Sequence, residues 1–277
     1  MLIHIVVDKE KRLKGKYGAL EIPQIDEVIS TIDWAISNNI ALLPGDDLQY
    51  LQKLRKSLIL LMSKTLDRAL STHEADITKH DMFISNLSNL SETQGVDIIS
   101  LNYDLLLDHA IYRKTQKLPH YGLNKKRPNT GYRLYKLHGS LNWAVCPFCQ
   151  QIRTFSDKVA HKLFETQKRC QSCISTNLEP VLITPTMLKD YNIPELPRVW
   201  NEAFQALSTA TKLVFVGYSL PPADFAIIEL IKRAIHMKLR LEEVHVIDID
   251  RDLEDRYKKI FGNKVSSNMN GFSGELL

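Results

Sequence analysis

The sequence contains no Gly-x-Gly, although it carries eleven glycines. A glycine-rich turn between a strand and a helix is the usual cradle for a diphosphate. No stretch of it offers that device in its ordinary form. No apolar run reaches the roughly 18 residues that a membrane-spanning helix needs. Charge of one sign is also in short supply. The 36 basic and 32 acidic residues leave +4 over 277 residues, which is too little to argue for a nucleic-acid partner. The opening stretch, MLIHIVVDKEKRLKGK, puts its apolar residues before its lysines. A secretory signal has the reverse order, so a cytosolic, reducing location is expected.

Cysteine is sparse but patterned. Cys146 and Cys149 form one Cys-x-x-Cys pair, and Cys170 and Cys173 form another, with 20 residues between. In a reducing compartment this spacing points to zinc rather than to disulfides. Each turn offers two thiolates, and two turns close a tetrahedral shell. One structural zinc per chain is predicted, with a redox dithiol as the alternative. Four cysteines leave no open coordination position, which argues against a catalytic metal. His138 and His161 are then not needed as ligands.

Short runs rich in Val and Ile predict strands at 2–7, 96–101, 132–137, 180–184, 212–217 and 243–248. Most are continuously apolar rather than alternating, as expected for strands covered on both faces of a parallel sheet. Helical patterns lie between them. The expected fold is α/β, a doubly wound Rossmann-like parallel sheet with a helical insert and a small zinc-ribbon insert. The Rossmann-like part is discontinuous, over 1–23, 91–142 and 179–277. The helical module takes 24–90 and the zinc-binding module 143–178. The tail SSNMNGFSGELL reads as poorly ordered.

In such sheets ligands sit beyond the carboxyl ends of the strands. Asn102 and Asp104 follow one run, and His138, Gly139 and Ser140 another. Gly217, Tyr218 and Ser219 follow a third, and Asp248 and Asp250 a fourth. Each residue has a plain structural reading. An Asn or Asp after a strand often caps a helix, a histidine there is often a satisfied structural residue, and Gly217 suits a tight turn. The combination carries more than its members.

SLNYDLLLDHA, YKLHGSLNW, the paired Cys-x-x-Cys and LVFVGYSLPPAD occur in the order and spacing of the SIR2 (sirtuin-like) superfamily. The resemblance runs from about residue 22 to 250 and is closest to bacterial SIR2-like domain proteins. It implies binding of NAD as substrate and cleavage of the bond between nicotinamide and ribose. Asn102 would hold the nicotinamide-side ribose or a water. Asp104 would lie near the nicotinamide amide, and His138 would be the general base. Gly217 and Ser219 would line the ribose–phosphate path, and Asp248 would stand where the adenosine ribose is read. The bacterial relatives are commonly NAD-degrading antiphage effectors and often homo-oligomers, so an NAD glycohydrolase is expected.

Two departures bear on that expectation. The family opens with a strand and a Gly-Ala-Gly-x-Ser loop, and the chain resembles a member lacking both. A charge-assisted hydrogen bond is worth about 1.5–3 kcal/mol, so the loss weakens diphosphate binding. Lys14 and Lys16 would replace it only as point charges. The alternative is therefore a non-catalytic SIR2-fold binding module. LEPVLITPTMLKDY also stands where deacylases usually read like Phe-Gly-Glu, which sets an NAD-dependent lysine deacylase third.

Overall fold

A computed structural model describes residues 25–275, except 46, 73–76, 124–125, 158–161, 164–167, 175–176, 185, 187–188, 190, 192 and 237–240. The strand expected over 2–7, Lys14, Lys16 and His161 lie outside the described residues.

Continuously apolar runs become parallel strands. β1 (Val96–Ser100) pairs in register with β2 (Tyr132–Lys136), and Asp97 stands opposite Arg133. That cross-strand pair is an ionic fork, with Nε to Oδ1 at 2.7 Å and a second nitrogen to Oδ2 at 2.9 Å. The guanidinium holds the Asp97 carboxyl below its usual range against the opposing push of burial. β6 (Lys212–Val216), β7 (Glu243–Ile247) and β8 (Val265–Asn268) form a second parallel set in that order.

The connections are helical, as parallel strands require. α5 (Leu106–Thr115) follows β1, α7 (Phe225–His236) links β6 to β7, and α8 (Leu253–Phe261) links β7 to β8. α6 (Leu196–Thr209) buries Leu196, Val199, Ala203, Ala206 and Leu207. That spacing makes one apolar stripe at helical period. The stripe joins the main core with Leu134, Tyr135, Val244 and Val246, and Ala for larger residues at 203 and 206 lets the helix lie close.

Two expectations are corrected. The run at 180–184 was expected to join the parallel sheet. Instead β5 (Glu179–Leu182) pairs antiparallel with β3 (Gly139–Val145), which also pairs antiparallel with β4 (Ile152–Thr154). Gly139 makes this crossing feasible. Its φ is +81°, and a Cβ there would stand 2.0 Å from the Val181 carbonyl oxygen. The tail is also ordered as far as residue 275. β8 pairs with β7, Phe272 packs edge-on to Phe83 at 5.6 Å, and the Gly274 carbonyl accepts from Asn86 at 3.0 Å. A short polar edge strand has little apolar periodicity to announce it.

The segment expected to be helical is so. It comprises α1 (Ile25–Asn38), α2 (Leu48–Thr72), α3 (Ile77–Asn86) and α4 (Ser88–Thr93). Ile29 and Ile32 of α1 pack on Leu54 and Leu58 of α2. Further along, Ile59 of α2 meets Leu141 and Leu182, with Tyr103 against them. The helical segment therefore reaches the strand ends where the polar residues collect.

Candidate functional site

His138 follows β2 and precedes Gly139, and it is 6% exposed. Its backbone carbonyl accepts the Ile183 amide at 2.9 Å, and the Leu137 carbonyl beside it accepts from Trp200 Nε1 at 3.2 Å. The imidazole faces the Leu101 carbonyl and lies 6.4 Å from the Tyr103 ring, centroid to centroid. Nε2 is buried and has no hydrogen-bond partner among the described residues. Burial pushes the imidazole pKa down to about 4, with the Asp224 charge opposing and the Lys189 charge assisting. The ring is therefore neutral at pH 7.

Tyr103 anchors the loop after β1. Its hydroxyl donates to the Ile183 carbonyl, and its own carbonyl accepts the Leu141 amide at 2.9 Å. Asn102 and Asp104 flank it. Asn102 is exposed on the rim. Asp104 is half-buried, and its carboxylate accepts the Leu106 amide at 3.0 Å where α5 begins. The bond is a local turn just ahead of the helix, whose N-cap residue is Leu105.

The other sequence candidates follow β6 and β7. Gly217 takes φ +62° in the turn after β6, with nothing within 4 Å of a would-be Cβ. Conformation rather than crowding requires glycine there. Ser219 is exposed, and its carbonyl accepts from Arg256 at 3.2 Å. Asp248 closes its own turn by accepting the amides of Ile249 and Asp250 at 2.7 and 3.0 Å. Among the described residues, no hydrogen bond or ion pair joins these three to His138.

Two residues that the sequence did not single out stand next to His138. Asp224 Oδ1 is 3.9 Å from His138 Nε2. The Lys189 ammonium contacts the same oxygen. Asp224 was missed because it comes eight positions after β6, past the first turn residues. An acidic residue after Pro-Pro at a helix start was the available signal. Lys189 had none, because no strand or helix expected from the sequence contains it.

The four cysteines come together, with all Sγ atoms within 4.8 Å of one another. Cys146 and Cys173 are 3.5 Å apart, and Cys149 and Cys170 are 3.8 Å apart. A tetrahedron with metal–sulfur bonds of about 2.3 Å has edges of about 3.8 Å, so the set fits a metal ion. The two turns match in detail. Gln150 and Ile174, each just after its second cysteine, take φ +57° and +58°. That is a costly conformation for a β-branched residue such as Ile174. The amides of Cys173 and Ser172 draw the Cys170 thiol down to about 6, whereas burial raises Cys146 to about 11. Trp143 behind the clip is fully buried, edge-on to Tyr121 at 5.3 Å.

A family model for the SIR2-like domain matches residues 96–263, more than half of the chain. The chain belongs to the SIR2-like domain family. No curated protein matches it. Among similar solved structures is one described as the structural basis for the mechanism and regulation of Sir2 enzymes. It is 19% identical with a TM-score of 0.40, over 71% of this chain and 64% of that one. A Sir2–p53 peptide–NAD+ complex is 15% identical with a TM-score of 0.40, over 71% and 65%. Sir2Af2 bound to a myristoylated histone peptide is 17% identical with a TM-score of 0.43, over 82% and 78%. The family assignment rests on the sequence match. His138, Tyr103 and Asp224 all fall inside the matched span, as do the four cysteines.

Proposed function

We propose that this SIR2-like chain binds NAD and hydrolyses the bond between nicotinamide and ribose. NAD+ and water give nicotinamide, ADP-ribose and a proton. One observation carries the reading: His138 Nε2 is buried at a strand end and has no hydrogen-bond partner among the described residues, and burial keeps the ring neutral near pH 7. A nitrogen in that state is free to accept a proton from an attacking water. Asn102 on the adjacent rim would orient that water or the ribose with a neutral amide. Asp104 would lie on the nicotinamide side. Gly217 and Ser219 would line the ribose–phosphate path, and Asp248 would meet the adenosine ribose. In this reading Asn102, Asp104 and His138 make up the catalytic group.

The four cysteines would hold one zinc, a structural ion given the closed thiolate shell. Free thiolates of that kind suit a reducing, cytosolic setting. The proposed division keeps the helical module at 24–90 and the zinc module at 143–178, with the remainder as the NAD-binding domain.

The test is nicotinamide release from NAD by the purified chain. Release that is lost in His138→Ala and in Asn102→Ala supports the reading. No release by the wild type, or equal release by His138→Ala, rejects it. The missing Gly-x-Gly favours a second reading, a SIR2-fold binding module without turnover. Tight NAD binding with no nicotinamide release would decide for it.

A further inference from the structure

We propose that Asp224 is the positioning carboxylate of His138 and that Lys189 competes with the imidazole for it. The proposal rests on the reading of His138 as the proton acceptor. Asp224 closes a short 3-10 turn (Pro222–Asp224) after β6 and is 7% exposed. Its Oδ1 meets the Lys189 ammonium, which also donates to the Ala223 carbonyl at 3.1 Å. The same oxygen is 3.9 Å from His138 Nε2. That is a charge-pair distance rather than a hydrogen bond. One acceptor oxygen therefore faces two basic nitrogens, and in this structure the ammonium holds it.

The surroundings leave few other charges to consider. Tyr103 comes from the loop after β1, Tyr191 from the segment before α6, and Tyr218 from the loop after β6. Burial first, then the negative charge of Asp224, raises all three hydroxyls, so they are neutral at pH 7. Among the described residues, Asp224 is the anion and Lys189 the cation that bear on His138.

Charge balance gives this arrangement its consequence. When water attacks, its oxygen bonds the ribose carbon and nicotinamide leaves with the electron pair of the broken bond. The water proton goes to His138 Nε2, and the imidazolium later returns it to solvent. A buried imidazolium without a counter-charge is costly. Asp224 supplies that charge beside the accepting nitrogen itself, unlike the aspartate of a catalytic triad, which bonds the opposite ring nitrogen. While Lys189 neutralises the carboxylate, His138 stays a weak base. When the carboxylate turns to the imidazole, the base strengthens.

NMR titration of the His138 ring in the full chain tests the pairing, with its resonance assigned by loss in His138→Gln. Asp224→Asn is expected to lower the His138 pKa and Lys189→Met to raise it, each by at least about half a unit. Opposite signs show that both charges act on the ring, and the kcat-against-KM split separates positioning from a merely structural pair. In NAD hydrolysis, Asp224→Asn is expected to lower kcat about tenfold or more with KM within about threefold. Shifts of the same sign, or none, overturn the proposal. If Asp224→Asn does not fold, Lys189→Met decides alone, and a fall or no change in pKa overturns it. Opposed shifts in a chain without His138-dependent hydrolysis uphold the pairing and overturn only the catalytic reading.

Discussion

The Lys136 ammonium lies 3.0 Å from the Asp108 carboxylate, and both side chains are almost wholly buried. The lysine also donates to the Asp104 backbone carbonyl, and the Tyr121 hydroxyl donates to the other carboxylate oxygen at 2.5 Å. The pair joins β2 to α5, and the lysine's second bond reaches the loop bearing Asn102 and Asp104. Removing one partner strands a buried charge, which typically costs about 3–5 kcal/mol. Lys136→Met is expected to lose stability on that scale in urea unfolding. The double variant Lys136→Met/Asp108→Asn is expected to be more stable than Lys136→Met alone. A single-variant loss below about 1 kcal/mol contradicts a buried pair of this kind.

Gly139→Ala is expected to unsettle the crossing of β3 and β5. The added methyl meets the Val181 carbonyl oxygen at 2.0 Å in a left-handed backbone. Backbone cannot yield as a side-chain tip does, so a loss of about 3 kcal/mol or more is expected. Thermal unfolding reads it, and a melting temperature within a degree or two of wild type would contradict the geometry.

About one zinc per chain is expected by elemental analysis, and chelation is expected to lower the melting temperature, because a structural ion contributes folding energy directly. Cys170→Ser is expected to lose the metal and most of the chelator sensitivity together. A variant that keeps full stability without metal would show the clip to be dispensable.

The His138 pKa sets a stability window in pH. Its folded value is pushed down to about 4 from an ordinary 6.5. Between those values the unfolded chain binds more protons than the folded one, so stability rises with pH through the window and is lost as pH falls through it. The shift corresponds to at most about 3 kcal/mol. His138→Gln is expected to flatten stability between pH 6.5 and 4, read by denaturant melts at several pH values. An unchanged slope would mean that the imidazole is not held neutral.

What was legible in the sequence followed local chemistry. VDIISL, KLVFVG and EVHVID are short runs rich in Val, Ile and Leu, and each became a parallel strand. The paired Cys-x-x-Cys turns were legible because metal geometry restricts spacing. The partner of PVLIT was not, because an apolar run does not encode which strand it meets. Gly139 permits that pairing, and the sequence marked it only as the residue after His138. Asp248 was read as a nucleotide contact or a cap, and the structure shows the turn it closes. The Lys189–Asp224 contact joins positions 35 residues apart. No local pattern marks such a pair.

α6 bonds both the strand after the first cysteine turn and the residue before His138. Glu195, at its start, accepts the Ile152 amide of β4 at 2.6 Å. One turn further on, Trp200 donates to the carbonyl of Leu137, next to His138. The helix is thus a load path between the metal-fitting turns and the imidazole. Loosening of the clip does not stay local. It reaches, through Glu195 and Trp200, the backbone that carries His138.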